Sequence, residues 1–536
     1  MRQLITPNQT SVLSRLLVYV RQSGLLGKIN LFWTTTLILI LSGCQHTPAG
    51  TLDLPEAQSL WKSDKSSQPN LSSQAETLAS ARGIWFSQEN GWIIEIQEQA
   101  ILRYQITPEV CYLSPNTGPT FMSSLEYRYV RVLSDDRIKL EYLPGDGQAY
   151  FERLAALPER CLHRVDRSSH GVWKAFASFF EHHYAFFKER GVDWQDLRDS
   201  LTKELESTRG ESLNEKDAAE FDAVFDSMKK VIAQLNDSHT KLFATIEGKT
   251  EKVQYDQGDT LSMIRSRLGE AQWLGGLIEQ TLNETLQSGA KHLGQQRIIY
   301  GKVNLEHLLG EKSNESIGYI QIFTMGGFTD TAEPGSESWA KAEVDYLNIT
   351  LQKAIASFKD ASAVIIDLSN NRGGYDVIAR QIAAHFIDSE IAAYRVAYRS
   401  PSRIERVYRV EPFKDEKNTQ HRYTGPLYLL TSDVTVSGGE LATLTLKNLP
   451  QVTHFGSTTR GSFSTPLAKP LPNDWYLELS NELFLSMNSE LFEGRGIPAD
   501  VPFEVFNAED PILSHRLAIQ KIVQWHRAKT RSSDER

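Results

Sequence analysis

Ser437 stands where a serine could act as a nucleophile. The apolar run 427–430 predicts a buried strand before it, and residues 441–446 predict a helix after it. A serine at such a joint lies beside unpaired backbone N–H groups at the positive end of a helix dipole, which can stabilise an oxyanion. Ser437 and Glu440 also fit a Ser-x-x-Glu capping box, so helix capping is the alternative role for this serine.

A glycine-containing loop is the second stretch that could take part in chemistry. It begins at Asp367, at the end of the apolar run 363–366, and continues to Gly373 and Gly374. Adjacent glycines let backbone N–H groups approach a ligand closely, although a tight strand–helix turn would also need them. Ligands of a doubly wound sheet bind beyond the strand carboxyl ends, so we expect this loop to meet Ser437.

Two more stretches complete a set of four in chain order. Residues 235–240 read Leu-Asn-Asp-Ser-His-Thr, and residues 492–500 read Phe-Glu-Gly-Arg-Gly-Ile-Pro-Ala-Asp. Together the four stretches resemble the tail-specific, or carboxyl-terminal processing, serine protease family. The tricorn-core-like branch, which is related to interphotoreceptor retinoid-binding protein, is the nearest in pattern. The resemblance extends over about residues 170–245 and 313–505.

The resemblance implies roles for the residues around the serine. Ser437 would be the nucleophile, and its oxyanion hole would combine the amide of Gly438 with one from Gly373 or Gly374. Glu440 would reach back to the start of the helix as structural support. The sequence departs from the family here, because Ser-Gly-Gly-Glu replaces the usual Ser-Ala-x-Glu.

The resemblance also indicates which residue is the base. Many members use a lysine about 25 residues after the serine, but Ser462 occupies that position here, which disfavours a Ser/Lys dyad. The tricorn-like branch uses a histidine, and the matching residue is His239. Ser238 would orient it, and Glu493 would join the polar network through a second serine or a water. Taken without the resemblance, a lone histidine at a helix end is more often a cap or a surface residue.

The function implied is a serine endopeptidase of the cell envelope. It would cut unfolded or C-terminal peptide segments through an acyl-enzyme, without a metal or other cofactor. Two alternatives remain open: a non-catalytic protein that binds peptides or apolar ligands on the same fold, and an acyl-CoA hydratase-like enzyme, which an envelope location disfavours. The net charge of −10 argues against nucleic-acid partners.

The N-terminus predicts export and lipidation. Basic residues precede an apolar stretch at 31–41, too short to span a bilayer comfortably, and Leu-Ser-Gly-Cys44 follows, which resembles a bacterial lipobox. The mature chain would carry lipid on Cys44 and lie on the periplasmic face of the outer membrane. An ordinary secretory signal with an incidental cysteine is the alternative. For an exported protein, the other two cysteines, Cys111 and Cys161, predict a disulfide rather than two free thiols.

The pattern along the chain predicts a multidomain α+β protein with no evident PDZ domain. The catalytic core would be an α/β unit of the crotonase/ClpP type. The expected segments are a signal peptide at 1–43, a tether at 44–80, a small antiparallel β domain at 81–166, a helical domain carrying His239 at 167–245, a helical or irregular connector at 246–312, the α/β core at 313–510, and a C-terminal helix and tail at 511–536.

Overall fold

A computed structural model of the chain describes residues 77–98, 100–115, 129–207, 216–246, 248–332, 334–399, 405–414 and 422–534. The expected signal peptide, Cys44 and nearly all of the tether lie outside the described residues. Within the described ranges, no helix is both long enough and apolar enough to cross a membrane.

The described chain begins with a seven-stranded antiparallel sheet, as the alternating pattern predicts. Its strands are β1 (Gly83–Ser87), β2 (Trp92–Ile96), β3 (Ile101–Ile106), β4 (Cys111–Leu113), β5 (Tyr129–Ser134), β6 (Arg137–Glu141) and β7 (Gln148–Leu154). Their order in the sheet is β4-β3-β2-β1-β7-β6-β5. A disulfide joins Cys111 on β4 to Cys161 in the short helical turn after β7, which confirms the predicted pair.

Three helices follow this sheet. They are α1 (Ser169–His183), α2 (Trp194–Ser207) and α3 (Lys216–Leu235). The aromatic residues of α1 recur at helical spacing, so Phe176, Phe179 and Phe180 are fully buried on one face. The sheet and the helices share one continuous apolar core, in which Tyr112 of β4 contacts Phe179 of α1. The two regions therefore pack as one body rather than as two separate domains.

The next segment mixes strands and helices. It contains β8 (Lys241–Ile246), β9 (Lys249–Gln254), α4 (Asp259–Arg267), α5 (Glu270–Gln280), β10 (Lys291–Leu293), β11 (Ile298–Lys302) and α6 (Leu305–Leu309). The helical signal at 261–286 is divided at Gly269, whose φ of 82° interrupts the helix. The predicted helical signal is therefore present on both sides of this break, whereas β9, β10 and β11 are strands that the sequence did not predict.

The remainder alternates strands and helices, as expected of an α/β core. Its elements are β12 (Ile317–Ile322), α7 (Glu337–Ser357), β13 (Ala363–Asp367), α8 (Asp376–Ala383), β14 (Ile391–Tyr398), β15 (Arg406–Val410), β16 (Leu427–Thr431), α9 (Gly438–Leu446), β17 (Val452–Gly456), β18 (Pro466–Pro470), β19 (Tyr476–Ser480), β20 (Glu482–Leu485), β21 (Val501–Pro502) and α10 (Pro511–Asp534).

A seven-stranded sheet forms the centre of this core, in the order β10-β11-β12-β13-β16-β17-β21. The pairs from β12 to β21 are parallel, while β10 and β11 add an antiparallel edge. Strands β13 and β16 are neighbours, so the loops after their carboxyl ends lie side by side. The α+β architecture is confirmed, and no PDZ domain is evident in the described part of the chain.

A smaller sheet joins the helical region to the core. Its order is β18-β19-β8-β9, and β8 follows α3 directly. Pairing of β8 with β19 places Lys241 opposite Glu478, and their side chains form a buried ion pair at 2.8 Å. This pairing fixes the turn at 236–240, which lies between α3 and β8 and contains the predicted histidine, against the 466–480 part of the core.

Candidate active site

Ser437 forms the turn between β16 and α9 and occupies the N-terminal cap of α9. Its φ is 56° and its ψ is −123°, a left-handed backbone that residues other than glycine rarely adopt. The Ser437 N–H donates to the Ser462 carbonyl at 3.0 Å and to the Glu440 carboxylate at 3.2 Å. These bonds hold the strained turn, and Glu440 makes the contact expected of a capping partner.

The carboxylate of Glu440 is fully buried and accepts hydrogen bonds from four groups. In addition to Ser437, the donors are the N–H of Ser462 at 2.8 Å, the N–H of Gly461 at 2.6 Å and the hydroxyl of Thr459 at 2.7 Å. Burial raises the pKa of Glu440 to about 7, although these donors oppose the shift. Glu440 therefore fastens the nucleophile turn to the segment 459–462.

The two loop glycines lie against Ser437. Gly373 has a φ of 78° and Gly374 a φ of 132°, and a Cβ atom placed on Gly373 would lie 3.3 Å from the Ser437 hydroxyl oxygen. A Cβ atom on Gly438 would lie 3.2 Å from the backbone nitrogen of Gly374. The close approach of the two loops therefore requires glycine at these positions.

Two backbone N–H groups beside Ser437 are free to bind an oxygen. The N–H of Gly373 donates to the side-chain oxygen of Asn371 at 2.9 Å and is therefore occupied. Within the described residues, the N–H groups of Gly374 and Gly438 have no acceptor. The geometry thus favours Gly374 over Gly373 as the partner of Gly438 in binding an anionic oxygen.

The segment that contains the predicted histidine is a tight turn after α3. Asn236 has a φ of 45°, which ends the helix in the manner typical of an asparagine. Asp237 is fully buried and accepts from the N–H of His239 at 2.9 Å, the hydroxyl of Thr240 at 3.0 Å and the hydroxyl of Tyr184 at 3.1 Å. The sequence motif contains Asp237, but only the structure shows that it holds this turn together.

Ser238 and Ser462 connect this turn to Ser437. The Ser238 hydroxyl donates to the Ser462 hydroxyl at 2.6 Å, and both residues are buried. Because the Ser462 carbonyl also accepts from the N–H of Ser437, a single residue separates Ser238 from the turn at Ser437. Ser462 therefore bridges the histidine turn and the turn at Ser437.

His239 lies in a buried position beside the backbone of Ser464. Burial, and then the charge of Lys241, lower the pKa of His239 to about 4, against the opposing effect of Asp237. The ring is therefore neutral at pH 7, and its Nδ1 atom has no partner among the described residues. No hydrogen bond joins His239 to Ser437 in the described part of the chain.

The Glu493 carboxylate binds the backbone of the segment that follows Ser462. Its Oε2 atom accepts from the N–H of Phe463 at 2.8 Å and from that of Ser464 at 3.1 Å. Burial raises the pKa of Glu493 well above its usual range, and Asp237 adds to the shift. One of these donors is the backbone of a serine, and the expected link through a second serine or a water stays a prediction.

Arg190 is the main residue of the site that no sequence motif predicted. Its guanidinium lies 3.8 Å from Asp237, 3.8 Å from Asp256 and 3.7 Å from Glu493, and it donates to the carbonyl of Asn236 at 2.7 Å. It balances the buried carboxylates around the histidine turn. Nothing in the residues next to Arg190 marks this role, since its partners come from three distant parts of the chain.

The described residues contain no group of three or more His, Cys, Asp or Glu side chains that could hold a metal ion. The residues described above include a strained serine, two free N–H groups, a neutral histidine and a network of serines and carboxylates. Such a set can bind and attack a carbonyl group.

Comparison with known proteins gives a family and several distant structures. Residues 316–503 match the profile of peptidase family S41. A candidate peptidase from Parabacteroides merdae is 19% identical, with 67% of this chain and 97% of that chain aligned and a TM-score of 0.49. Mature CPAF is 11% identical over 67% of this chain and 97% of its own, with a TM-score of 0.46. The photosystem II D1 C-terminal processing protease is 12% identical over 64% and 96%, with a TM-score of 0.34.

Proposed function

Since the chain is a serine-type peptidase of family S41, we propose that Ser437 is its nucleophile and His239 its general base. The observation that carries this proposal is the turn at Ser437, where a strained serine faces the free N–H groups of Gly374 and Gly438. Those N–H groups suit the oxyanion of a tetrahedral intermediate. The proposed reaction is hydrolysis of peptide bonds in unfolded or C-terminal segments of proteins.

The reaction balances with these groups alone. The Ser437 oxygen forms a bond to the peptide carbonyl carbon while its proton passes to His239. The tetrahedral intermediate then collapses, the C–N bond breaks, and His239 returns the proton to the leaving amine. Water, deprotonated by the same histidine, attacks the acyl-enzyme and restores Ser437.

Because burial lowers the pKa of His239 to about 4, its ring is neutral at physiological pH, which a proton acceptor requires. Ser238, Ser462 and Glu493 hold the backbone around it, so they are positioning residues in this proposal. Catalytic hydrogen bonds are often long before substrate binds, and we infer that His239 and Ser437 approach each other in the substrate complex.

We further propose that the enzyme acts in the cell envelope, anchored by lipid on Cys44. The lipobox-like residues 41–44 support this location. Metabolic labelling with a fatty-acid analogue should mark the wild-type protein and not Cys44→Ser. Labelling that persists in Cys44→Ser would contradict the anchor without affecting the peptidase assignment.

Activity on an unfolded protein tests the peptidase mechanism. Cleavage of reduced, carboxymethylated casein should fall by about 10³-fold or more in Ser437→Ala. Ser457→Ala is the matched control, because its hydroxyl donates to the Phe503 carbonyl, away from the residues assigned to the site, and its loss should leave activity unchanged. Full activity of Ser437→Ala would refute the proposal.

A further inference from the structure

The first turn of α8 is capped by a side chain from a distant part of the chain. The residue at its N-terminal cap, Tyr375, makes no side-chain capping bond. Asp146, in the turn between β6 and β7, instead accepts the N–H of Asp376 at 3.1 Å while also accepting that of Gly147 at 3.0 Å. Asp146 is 3% exposed. A carboxylate of the N-terminal β sheet thus satisfies a free N–H at the start of a helix in the α/β core.

The same turn makes two more contacts with this part of the core. The Arg380 guanidinium on α8 donates to the Gly145 carbonyl and, at 2.5 Å, to the Tyr394 hydroxyl. The ring of Tyr142 packs against that of Tyr375, with 5.7 Å between the ring centroids. The turn at 142–147 therefore contacts α8 at three positions: the cap residue Tyr375, the first helical residue Asp376, and Arg380 one turn later.

The position of this cap matters because Gly374 lies two residues before Asp376. Gly373 and Gly374 both have positive φ, and glycine has little intrinsic preference among such conformations. The direction of the Gly374 N–H is therefore set by the bonds on either side of it. On the near side, the Gly373 carbonyl, in the same peptide unit, accepts from the Met325 N–H at 2.7 Å. On the far side, the Tyr375 N–H donates to the Met325 carbonyl at 2.8 Å, and the Asp376 N–H is capped by Asp146.

We propose that Asp146 is a positioning residue for the oxyanion hole, and that the N-terminal β sheet thereby forms part of the catalytic unit. The inference rests on the proposed role of Gly374 as an oxyanion donor. Misplacing a donor by about 1 Å can lower the rate by about 10²-fold, while substrate contacts elsewhere remain. Loss of the cap should accordingly lower kcat and leave KM nearly unchanged.

The experiment compares Asp146→Ala with a matched variant, Tyr112→Phe. The Tyr112 hydroxyl donates to the Pro470 carbonyl at 2.7 Å, so Tyr112→Phe also removes one buried bond between the β sheet and the core, far along the chain from the glycine loop. We expect Asp146→Ala to lower kcat by about 10- to 100-fold with KM within about twofold. Tyr112→Phe should keep kcat within about twofold, even where thermal unfolding shows a similar loss of stability.

Conservative variants separate positioning from folding. Asp146→Asn keeps an oxygen acceptor and should restore kcat to within a few fold of wild type. If Asp146→Ala does not fold, Asp146→Leu keeps the branching of the side chain at Cγ and removes the acceptor, and the same loss of kcat is expected of it. Wild-type kcat in folded Asp146→Ala or Asp146→Leu would overturn the inference, as would an equal loss of kcat in Tyr112→Phe.

Failure of the proposed function gives a different result. In that case Ser437→Ala retains the wild-type rate of casein cleavage, whatever the Asp146 variants do. Failure of this inference alone leaves an enzyme that depends on Ser437 and is indifferent to Asp146.

Discussion

At the scale of single residues, the catalytic proposal depends on a serine held in a costly conformation. A residue other than glycine at a φ of 56° is retained only where its surroundings fix it, and the Glu440 carboxylate and the Ser462 carbonyl do so here. The capping role and the nucleophilic role of this position are therefore compatible. Glu440 binds the backbone of Ser437 and leaves the hydroxyl group available.

The protonation state of His239 is a prediction at the same scale. Its lowered pKa, about 4, means that the ring stays neutral as the pH falls from 8 to 5, whereas an ordinary histidine would gain a proton near 6.5. Activity should not be lost through protonation of this base until the pH approaches 4. NMR of protein labelled with ¹³C at histidine Cε1 measures this directly, with His239→Gln identifying the resonance. A midpoint between pH 6 and 7 for that resonance would contradict the buried, desolvated environment.

Several site residues could be chosen from the sequence because motif and position agreed. Ser437, Gly374 and Gly438 follow strands that are adjacent and parallel, so their meeting was foreseeable. Arg190 could not be found in this way, since its carboxylate partners are far apart in sequence. The sequence also could not predict that the N–H of Gly373 is occupied, because this bond depends on the direction of the Asn371 side chain.

At the scale of elements, the C-terminal helix α10 supports the start of the glycine loop. Asp367 at the end of β13 is fully buried and accepts from His515 of α10 and from the Tyr319 hydroxyl, each at 2.6 Å. Burial alone would raise the pKa of Asp367, but His515 and the hydrogen bonds hold it below its usual range. The helix therefore stabilises the ionised aspartate at the base of the loop.

Removing His515 should destabilise the protein strongly. His515→Ala leaves the buried Asp367 with one partner fewer, and breaking a buried pair costs about 3 to 5 kcal/mol in the free energy of unfolding. Urea denaturation followed by tryptophan fluorescence measures the change. His307→Ala, at an exposed position, is the control and should change stability by less than about 0.5 kcal/mol. An equal, small effect of both variants would show that the Asp367 pair contributes little.

Element prediction succeeded where one pattern dominated a segment. The fully apolar runs at β13 and β16 and the aromatic stripe of α1 left little ambiguity. The segment 246–312 was harder, because β10 and β11 are short and become strands by pairing with β12 in the core sheet. Their conformation is set by tertiary contacts that a local pattern does not contain.

At the scale of the whole molecule, the N-terminal sheet and the helices share a core, so they should unfold together. The Cys111–Cys161 disulfide closes a loop with a sequence separation of 50 residues within that unit. In the chain-entropy treatment such a loop stabilises by about 4 kcal/mol. The double variant Cys111→Ser with Cys161→Ser should therefore lower the urea midpoint, and reduced wild-type protein should behave like it. An unchanged midpoint would mean that the crosslink does not constrain the unfolded chain.

The boundaries between regions were the least predictable feature at this scale. Composition separated a β-rich segment from a helical one, yet buried residues of both belong to one core. Lys469 illustrates the difficulty: it is fully buried in the core's β18, and its ammonium group donates to the Gly91 carbonyl at 3.2 Å in the N-terminal sheet. Lysine is rarely fully buried, so the sequence alone predicts a surface position for Lys469, and this contact could be identified only in the folded chain.

The central claim is that Ser437 is the nucleophile, and reaction with a fluorophosphonate tests it most directly. The purified protein is treated with the probe, digested, and analysed by mass spectrometry to locate the phosphonylated residue. We predict a single adduct on Ser437, absent in Ser437→Ala and retained in Ser457→Ala. An unmodified Ser437 in folded protein that cleaves casein, or an adduct on another serine, would contradict the account.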